Sequence, residues 1–388
     1  MTTAVVEVPA PSDSIGIQDH YLDERVLHIT WSDGKGSKYH YLWLRDNCSS
    51  AFHAITEERT FDLLSVSDDI RPTAVSIDGD KLHIDWSEGE HRSTYAFNWL
   101  RQYAYSEDFA QDRSGRVESW DKHFVDVIPQ GDHEAIMHSD AALLTWMEDL
   151  ARYGLALVRN MPSTNEAVVK TAERIGYLRR TNFGLTFDVR SVPKPSNQAY
   201  TADALPLHTD LPNHETPPGY QFLHCLNNES SGGESIFVDG FRVLEDIREN
   251  APEAFELLAN QQIPFRFHDD DYDIREHRPV ISLNYLGEVT ELKYNAHLAD
   301  IFDLPEDVMH QYYLAYRLLM RQLRDPRYMI QLRLGGGDMV VFDNRRVLHG
   351  RRQFDPSTGL RHLRGTYVDR TEFRSRLRVL RRTQGQGS

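Results

Sequence analysis

The chain of 388 residues contains only two cysteines, Cys48 and Cys225, far apart in sequence. Two distant thiols cannot form a disulfide framework, and such sparse usage is the habit of a reducing compartment. Long apolar runs are missing too: none approaches the roughly 18 residues that span a bilayer. The opening "MTTAVVEVPAPSDSIG" has neither the basic start nor the apolar stretch of a secretory signal. The expectation is a cytoplasmic protein that does not span a membrane. Positive charge is also short, with 43 Lys and Arg against 59 Asp and Glu and a formal net charge of −16. A nucleic-acid binder needs basic surface to displace counterions, so no nucleic-acid partner is expected. Any anionic ligand must instead meet a local cluster of Arg or Lys.

What is present suits a folded protein. Apolar residues make up 40% of the chain, ample for a buried core, and the length favours two domains or one large one with an appendage. One internal similarity stands out. "VLHITWSDGKGSKYHYLWLR" from Val26 and "KLHIDWSEGEHRSTYAFNWLR" from Lys81 both read as strand, turn, strand, then Trp-Leu-Arg. The pair predicts a small β-domain. Beyond it, "SDAALLTWMEDLARYG" predicts a helix capped by Ser139 and stopped by Gly154, and "TNEAVVKTAERIG" a second capped helix. From about Tyr200 onward the elements are mostly short strands with Gly-containing turns. They are broken by two helical stretches, "VLEDIRENAPEAFELLAN" and "PEDVMHQYYLAYRLLMRQLRD". This mainly β pattern with helices predicts a barrel or double-sheet jelly roll. The boundaries expected are a flexible arm over 1–15, a small β-domain over 16–125 and a larger domain over 126–388. The end, "RRTQGQGS", is expected to fray.

Four His-x-Asp pairs occur: His83/Asp85, His138/Asp140, His208/Asp210 and His268/Asp270. The first lies in a hairpin whose counterpart has Thr30 in place of the acid. The second opens a helix, where capping explains it. The fourth sits in the acidic run "HDDDYD". His208 and Asp210 differ, because "LPLHTDLP" surrounds them with apolar residues and prolines. In extended chain they project to one face, and a buried carboxylate needs a partner or a metal. Downstream, "MVVFDNRRVLHGRR" ends a β-run in a loop carrying His349, and Arg361 follows on the next expected strand. Two His and one carboxylate suit non-haem Fe(II), and an Arg suits the far carboxylate of a dicarboxylic co-substrate. On the pair alone, a structural hydrogen bond explains His208 and Asp210 as well as a metal does. The ordered set, with His349 and then Arg361, favours the metal.

The segments "AYTADALPLHTDLP", "FLHC", "GGESIFVDGF", "YYLAYR", "FDNRRVLHGRR" and "RHLRGTYVDR" extend the match, with "LWLRDNC" and "NFGLTFDVRS" upstream. Together, and in order over nearly the whole chain, the sequence resembles the γ-butyrobetaine hydroxylase family of Fe(II)/2-oxoglutarate oxygenases. The resemblance implies a double-stranded β-helix catalytic domain, a small N-terminal β-domain and a homodimer. It implies iron held by His208, Asp210 and His349, with 2-oxoglutarate bound by Arg361. It also implies O2 as co-substrate, ascorbate as reductant, and release of succinate and CO2. An aromatic cage for a trimethylammonium group falls on Phe183, Phe187, Tyr200 and Tyr367. Such a group cannot donate a hydrogen bond, so ring faces suit it. Contacts to the substrate anion fall on Asn197 and Asn295.

The family's N-terminal domain holds a structural zinc through a C-x-C-x-x-C run and a later histidine. Here "NCSSAFH" keeps Cys48, puts Ser50 at the second position and His53 at the third, while His91 matches the later ligand. Structural zinc sites are normally closed and thiolate-rich, so loss of the zinc is expected, with Trp43 and Trp99 packing the domain instead. The substrate expected is a small trimethylammonium zwitterion, γ-butyrobetaine or the phosphonate 2-(trimethylammonio)ethylphosphonate. Another betaine such as trimethyllysine, or a non-catalytic betaine-binding barrel, is the alternative.

Overall fold

A computed structural model of the chain describes residues 15–106, 117–190 and 201–385. Two compact units emerge, Met1–Gly115 and Arg116–Ser388. In the first, each predicted hairpin gains a strand in front of it. The result is two three-stranded antiparallel sheets, Ile17–Leu22/Val26–Trp31/Gly36–His40 and Pro72–Asp78/Lys81–Trp86/Arg92–Ala96. Alternation buries Leu27, Ile29 and Trp31 on one face, and Leu82, Ile84 and Trp86 on the equivalent face. Each Trp-Leu-Arg lies in a short helix, Tyr41–Asp46 or Phe97–Gln102.

The two repeats lock reciprocally. The Tyr39 hydroxyl donates to the Leu100 carbonyl at 2.7 Å, and the Tyr95 hydroxyl donates to that of Leu44. Trp31 and Trp86 likewise donate through Nε1 to Ser37 and Ser93, at 2.7 and 2.8 Å. Such buried bonds contribute about 1 kcal/mol each and leave few polar groups orphaned. Trp43 and Trp99 meet at 5.5 Å between ring centroids.

The second unit is a two-sheet jelly roll. A six-stranded sheet runs in the order Gln130–Asp132, Leu155–Arg159, Met339–Asp343, Tyr220–Asn228, Arg361–Val368, Thr186–Val189. A four-stranded sheet runs Leu205–His208, Val347–Arg351, Ser235–Asp239, Met329–Leu332. The strands' inward residues, among them Leu157, Leu223, Phe237, Phe342 and Leu363, form one closed core between the sheets. Helices cover the outer faces: Val341 and Phe222 pack under Leu143 and Phe373, while Val238 and Leu348 pack under Leu244 and Leu319.

Most predicted elements form. Ser139 accepts from the Ala142 amide to cap Asp140–Tyr153, and Gly154 ends that helix at φ +73°. Three details differ from expectation. The second helix begins at Ala167 without a side-chain cap, because Thr164 is spent in a backbone turn with Pro162 and Ala167. "VLEDIRENAPEAFELLAN" splits into Gly240–Asn250 and Pro252–Asn260, since Pro252 cannot continue a helix and instead starts a new one. The tail does not fray at Arg381: the last helix runs Arg370–Thr383, and Arg381 pairs with Glu148. Among the described residues no helix is long and apolar enough to cross a membrane.

Candidate metal centre

His208 ends its strand and His349 stands within Val347–Arg351, where the two are direct partners in antiparallel register. His349 therefore sits on a strand and not in a loop. The loop is spent earlier, in the Asp343–Arg346 turn, and the chain is extended again by Val347. Register sets the two rings 4.3 Å apart between centroids.

Asp210 follows just past the strand end. Thr209 points the other way, its amide donating to the Tyr294 carbonyl at 2.7 Å, so His208 and Asp210 share a face. The Asn344 side chain clamps the turn, accepting from the Asp210 amide at 2.6 Å and donating to the Asp210 carbonyl at 3.0 Å. Leu211 then takes φ +55°, a costly backbone for a branched residue, which the clamp helps to hold.

Asp210 Oδ1 lies 3.2 Å from His208 Nε2 and 3.7 Å from His349 Nε2. Among the described residues these three form the one group of His, Cys, Asp or Glu donors converging closely enough for a metal, with ligand atoms within 4.8 Å of one another. His208 Nδ1 is 2.9 Å from the Pro206 carbonyl, which fixes the tautomer and leaves Nε2 for a ligand. Burial alone would raise the Asp210 pKa, but the charge of His349, with the charge and hydrogen bond of His208 and the Tyr367 bond, holds it well below the usual carboxylate range. Burial and the neighbouring His208 push His349 down to about 3. A carboxylate facing two imidazole nitrogens is the donor set a divalent ion needs.

The triad opens into a cavity of about 310 Å³ between the sheets. Arg361, first residue of its strand, lines it, and Gly233 of the "GGES" turn lies against its side chain. The Gly233 carbonyl accepts from Arg361 Nη2 at 3.1 Å, while a Cβ on Gly233 would lie 2.8 Å from Arg361 Nε. Arg361 Nε and Nη1 are buried with no hydrogen-bond partner among the described residues. Burial, then the charge of Arg351, pushes its pKa down to about 10. A buried guanidinium with idle donors fits a carboxylate ligand.

Phe183, Phe187 and Tyr367 line the same cavity. Phe187 stacks on Tyr367 at 5.1 Å, above Gly365, whose hydrogen leaves room for the ring: a Cβ there would lie 2.3 Å from it. Tyr367 has a second task that spacing did not suggest. Its hydroxyl donates to Asp210 Oδ2 at 2.6 Å. Phe267, edge-on to Phe183 at 5.7 Å, is a fourth ring in the wall that the motifs did not single out. Tyr200 and Asn197 lie outside the described residues. Asn295 lines the cavity with its amide largely committed, donating to the Thr209 carbonyl at 3.2 Å and accepting from the His297 and Leu298 amides. Ser235, Gln221, His297 and Arg351 also reach the cavity. Arg351 donates to the carbonyls of Thr201 and Asp203.

Donor groups in two of the other His-x-Asp pairs are occupied locally. His83 meets Thr94 and Asp85 pairs with Arg92, while Asp140 pairs with Arg174. Cys48 is buried against Ser50, 3.4 Å away. Burial would raise its pKa, but hydrogen bonds from Ser50 and Ser93 hold it below the ordinary value. His53 is exposed and accepts from the Thr56 amide at 3.2 Å, and His91 meets Ser93 at 3.2 Å. Cys48, His53 and His91 do not converge on a common point.

Residues 123–367 match the family model described as taurine catabolism dioxygenase TauD, TfdA family. Residues 19–101 match gamma-butyrobetaine hydroxylase-like, N-terminal. The chain is 42% identical to the gamma-butyrobetaine dioxygenase of Pseudomonas sp. (strain AK-1), over 92% of this chain and 94% of that one. It is 30% identical to the gamma-butyrobetaine dioxygenase of Pongo abelii, over 94% and 96%. It is 32% identical to the mitochondrial trimethyllysine dioxygenase of Bos taurus, over 94% and 90%.

Proposed function

Since the chain belongs to the TauD, TfdA dioxygenase family and is an Fe(II)/2-oxoglutarate-dependent dioxygenase, we propose that it hydroxylates a methylene of a small trimethylammonium zwitterion, γ-butyrobetaine first. One observation carries the reading: the His208–Asp210–His349 triad, the idle Arg361 donors and an aromatic wall share one cavity. The 42% relative, matched over 92% of this chain, is a gamma-butyrobetaine dioxygenase, which supports the butyrobetaine branch.

Bound iron and 2-oxoglutarate supply the power to activate O2, with succinate and CO2 as by-products. The chain supplies geometry. His208, Asp210 and His349 would hold the ion from one side, and the Pro206 carbonyl and the Tyr367 hydroxyl fix the orientation of two of them. Arg361 would take the distal carboxylate of the co-substrate through Nε and Nη1. Phe183, Phe187 and Tyr367 would hold the cationic head by ring faces and exclude water, with Tyr200 completing the cage. Asn197 and Asn295 are assigned to the anion's end. Fixing both ends of a short zwitterion leaves one methylene presented for reaction.

We place carboxylate ahead of phosphonate at that end. Arg361 is reserved for the co-substrate and Arg351 already holds two carbonyls, so a dianion has little further cationic help on the described wall. A homodimer in a reducing compartment completes the proposal, the latter supported by two free, buried cysteines.

The test is side-by-side oxygen uptake and succinate release with Fe(II), 2-oxoglutarate and each of γ-butyrobetaine, 2-(trimethylammonio)ethylphosphonate and trimethyllysine. γ-Butyrobetaine should give the highest kcat/KM. Succinate no higher than the no-substrate control with all three would contradict the reading, and betaine binding without iron or succinate would indicate a non-catalytic barrel.

A further inference from the structure

Gln221 is only 3% exposed, yet its Oε1 has no hydrogen-bond partner among the described residues. It lies on Tyr220–Asn228, the strand that crosses the floor of the catalytic cavity, and its side chain lines that cavity. Its neighbours in sequence, Tyr220 and Phe222, face the outer helical layer, while Leu223 faces inward with it. In the sheet Gln221 pairs directly with Tyr367. Paired side chains on one face stand about 5 Å apart at Cβ, so the amide sits beside the ring that walls the cage.

An orphaned amide oxygen is an expensive way to fill a barrel interior. A buried acceptor without a partner costs about 1–3 kcal/mol, and Leu or Met would fill the same volume without that cost. No described residue bonds to its Oε1. The missing partner is therefore sought in what enters the cavity. The amide can turn either end inward. A quaternary ammonium offers no N–H and accepts nothing, but its N-methyl hydrogens share the positive charge. Only the carbonyl oxygen, the negative end of the amide dipole, matches it, through weak C–H···O contacts and charge–dipole attraction.

We propose that Gln221 is a specificity residue whose carbonyl oxygen faces the trimethylammonium head, so that the cavity prefers this cation to a neutral group of the same shape. The aromatic faces alone recognise both shape and charge; Gln221 adds a term sensitive to charge only. The inference rests on the trimethylammonium reading of the cavity.

The test compares γ-butyrobetaine with its neutral-head isostere 5,5-dimethylhexanoate, in which carbon replaces nitrogen. Binding to anaerobic enzyme loaded with Fe(II) and 2-oxoglutarate is measured by calorimetry for the wild type, Gln221→Met and Gln221→Glu. The expected result is a preference for the betaine in the wild type, narrowed about tenfold in Gln221→Met through weaker betaine binding, a change of about 1.4 kcal/mol. Isostere affinity should stay unchanged, and Gln221→Glu, which keeps an acceptor, should retain the preference. In turnover, Gln221→Met should raise KM for the betaine more than it lowers kcat. Equal weakening of both ligands in Gln221→Met would mean a packing role and overturn the inference, as would an unchanged preference. A wild type that binds the two ligands equally overturns the cation reading itself, a separate outcome.

Discussion

Two of the places where histidines stand beside other metal-binding side chains differ in whether their donor atoms converge. At His208, Asp210 and His349 the donors come from neighbouring strands in register and converge, and His208 and Asp210 are each held by a neighbour that leaves a ligand atom available. At Cys48, His53 and His91 metal-ligating side chains are spent on local bonds to Ser50, Thr56 and Ser93. Residue type is therefore a poor guide to metal binding, and convergence with uncommitted donor atoms a good one. Reciprocal Tyr39 and Tyr95 bonds and the Trp43–Trp99 contact join the two repeats of the small unit.

Disrupting the convergent group should have the largest effect. His349→Ala removes a ligand, and turnover should fall about a thousandfold or more, because the ion contributes several kcal/mol to the reaction; succinate assays would show it, and residual activity near wild type would dissolve the contrast. Arg361→Met should raise KM for 2-oxoglutarate about 100-fold, in line with losing a buried, bidentate charge pair. Its kcat at saturating co-substrate should change far less.

Tyr367→Phe separates the ring from the hydroxyl. Losing the bond to Asp210 should cut kcat about tenfold, the usual scale for outer partners of metal ligands, while KM for the betaine stays near wild type because the ring remains. A large rise in that KM would show that the hydroxyl serves the substrate and not the carboxylate.

The smallest effect is expected on the other side of the comparison. Burial, then the charge of Arg45, lowers the His91 pKa below its ordinary 6.5. The unfolded chain therefore binds a proton more readily than the fold does, so the stability linked to His91 is fully present above about pH 6.5 and is lost as pH falls below it. His91→Gln should flatten the acid side of the Tm-versus-pH curve, with little change at neutral pH. A large drop in Tm at neutral pH on this substitution would instead point to a structural ligand.

Much of the site was legible because its signals are local. The i, i+2 spacing of His208 and Asp210 on extended chain holds whatever the fold, and the order of His349 and Arg361 narrowed the chemistry. What could not be read depends on register. Asn344 is recognisable as a clamp only when the "FDNRR" turn is seen against Asp210. Tyr367 reaches Asp210, and Gln221 pairs with Tyr367, because strands far apart in sequence lie side by side. Phe267 joins the wall from a hairpin over Gln262–Pro279 that reads, in sequence, as any exposed β-ribbon. Similarly, the strand–turn–strand repeats were plain, but the strands in front of them, Ile17–Leu22 and Pro72–Asp78, are mostly exposed and carry little apolar alternation.

Metal content measured after anaerobic loading tests the central contrast most directly. Wild-type protein is offered Fe(II) and Zn(II), passed through a desalting column and analysed by inductively coupled plasma mass spectrometry beside His349→Ala and Cys48→Ser. The account predicts one tightly held metal per chain in the wild type and in Cys48→Ser, and almost none in His349→Ala. A metal retained in His349→Ala but lost in Cys48→Ser would place the site in the N-terminal unit and contradict it.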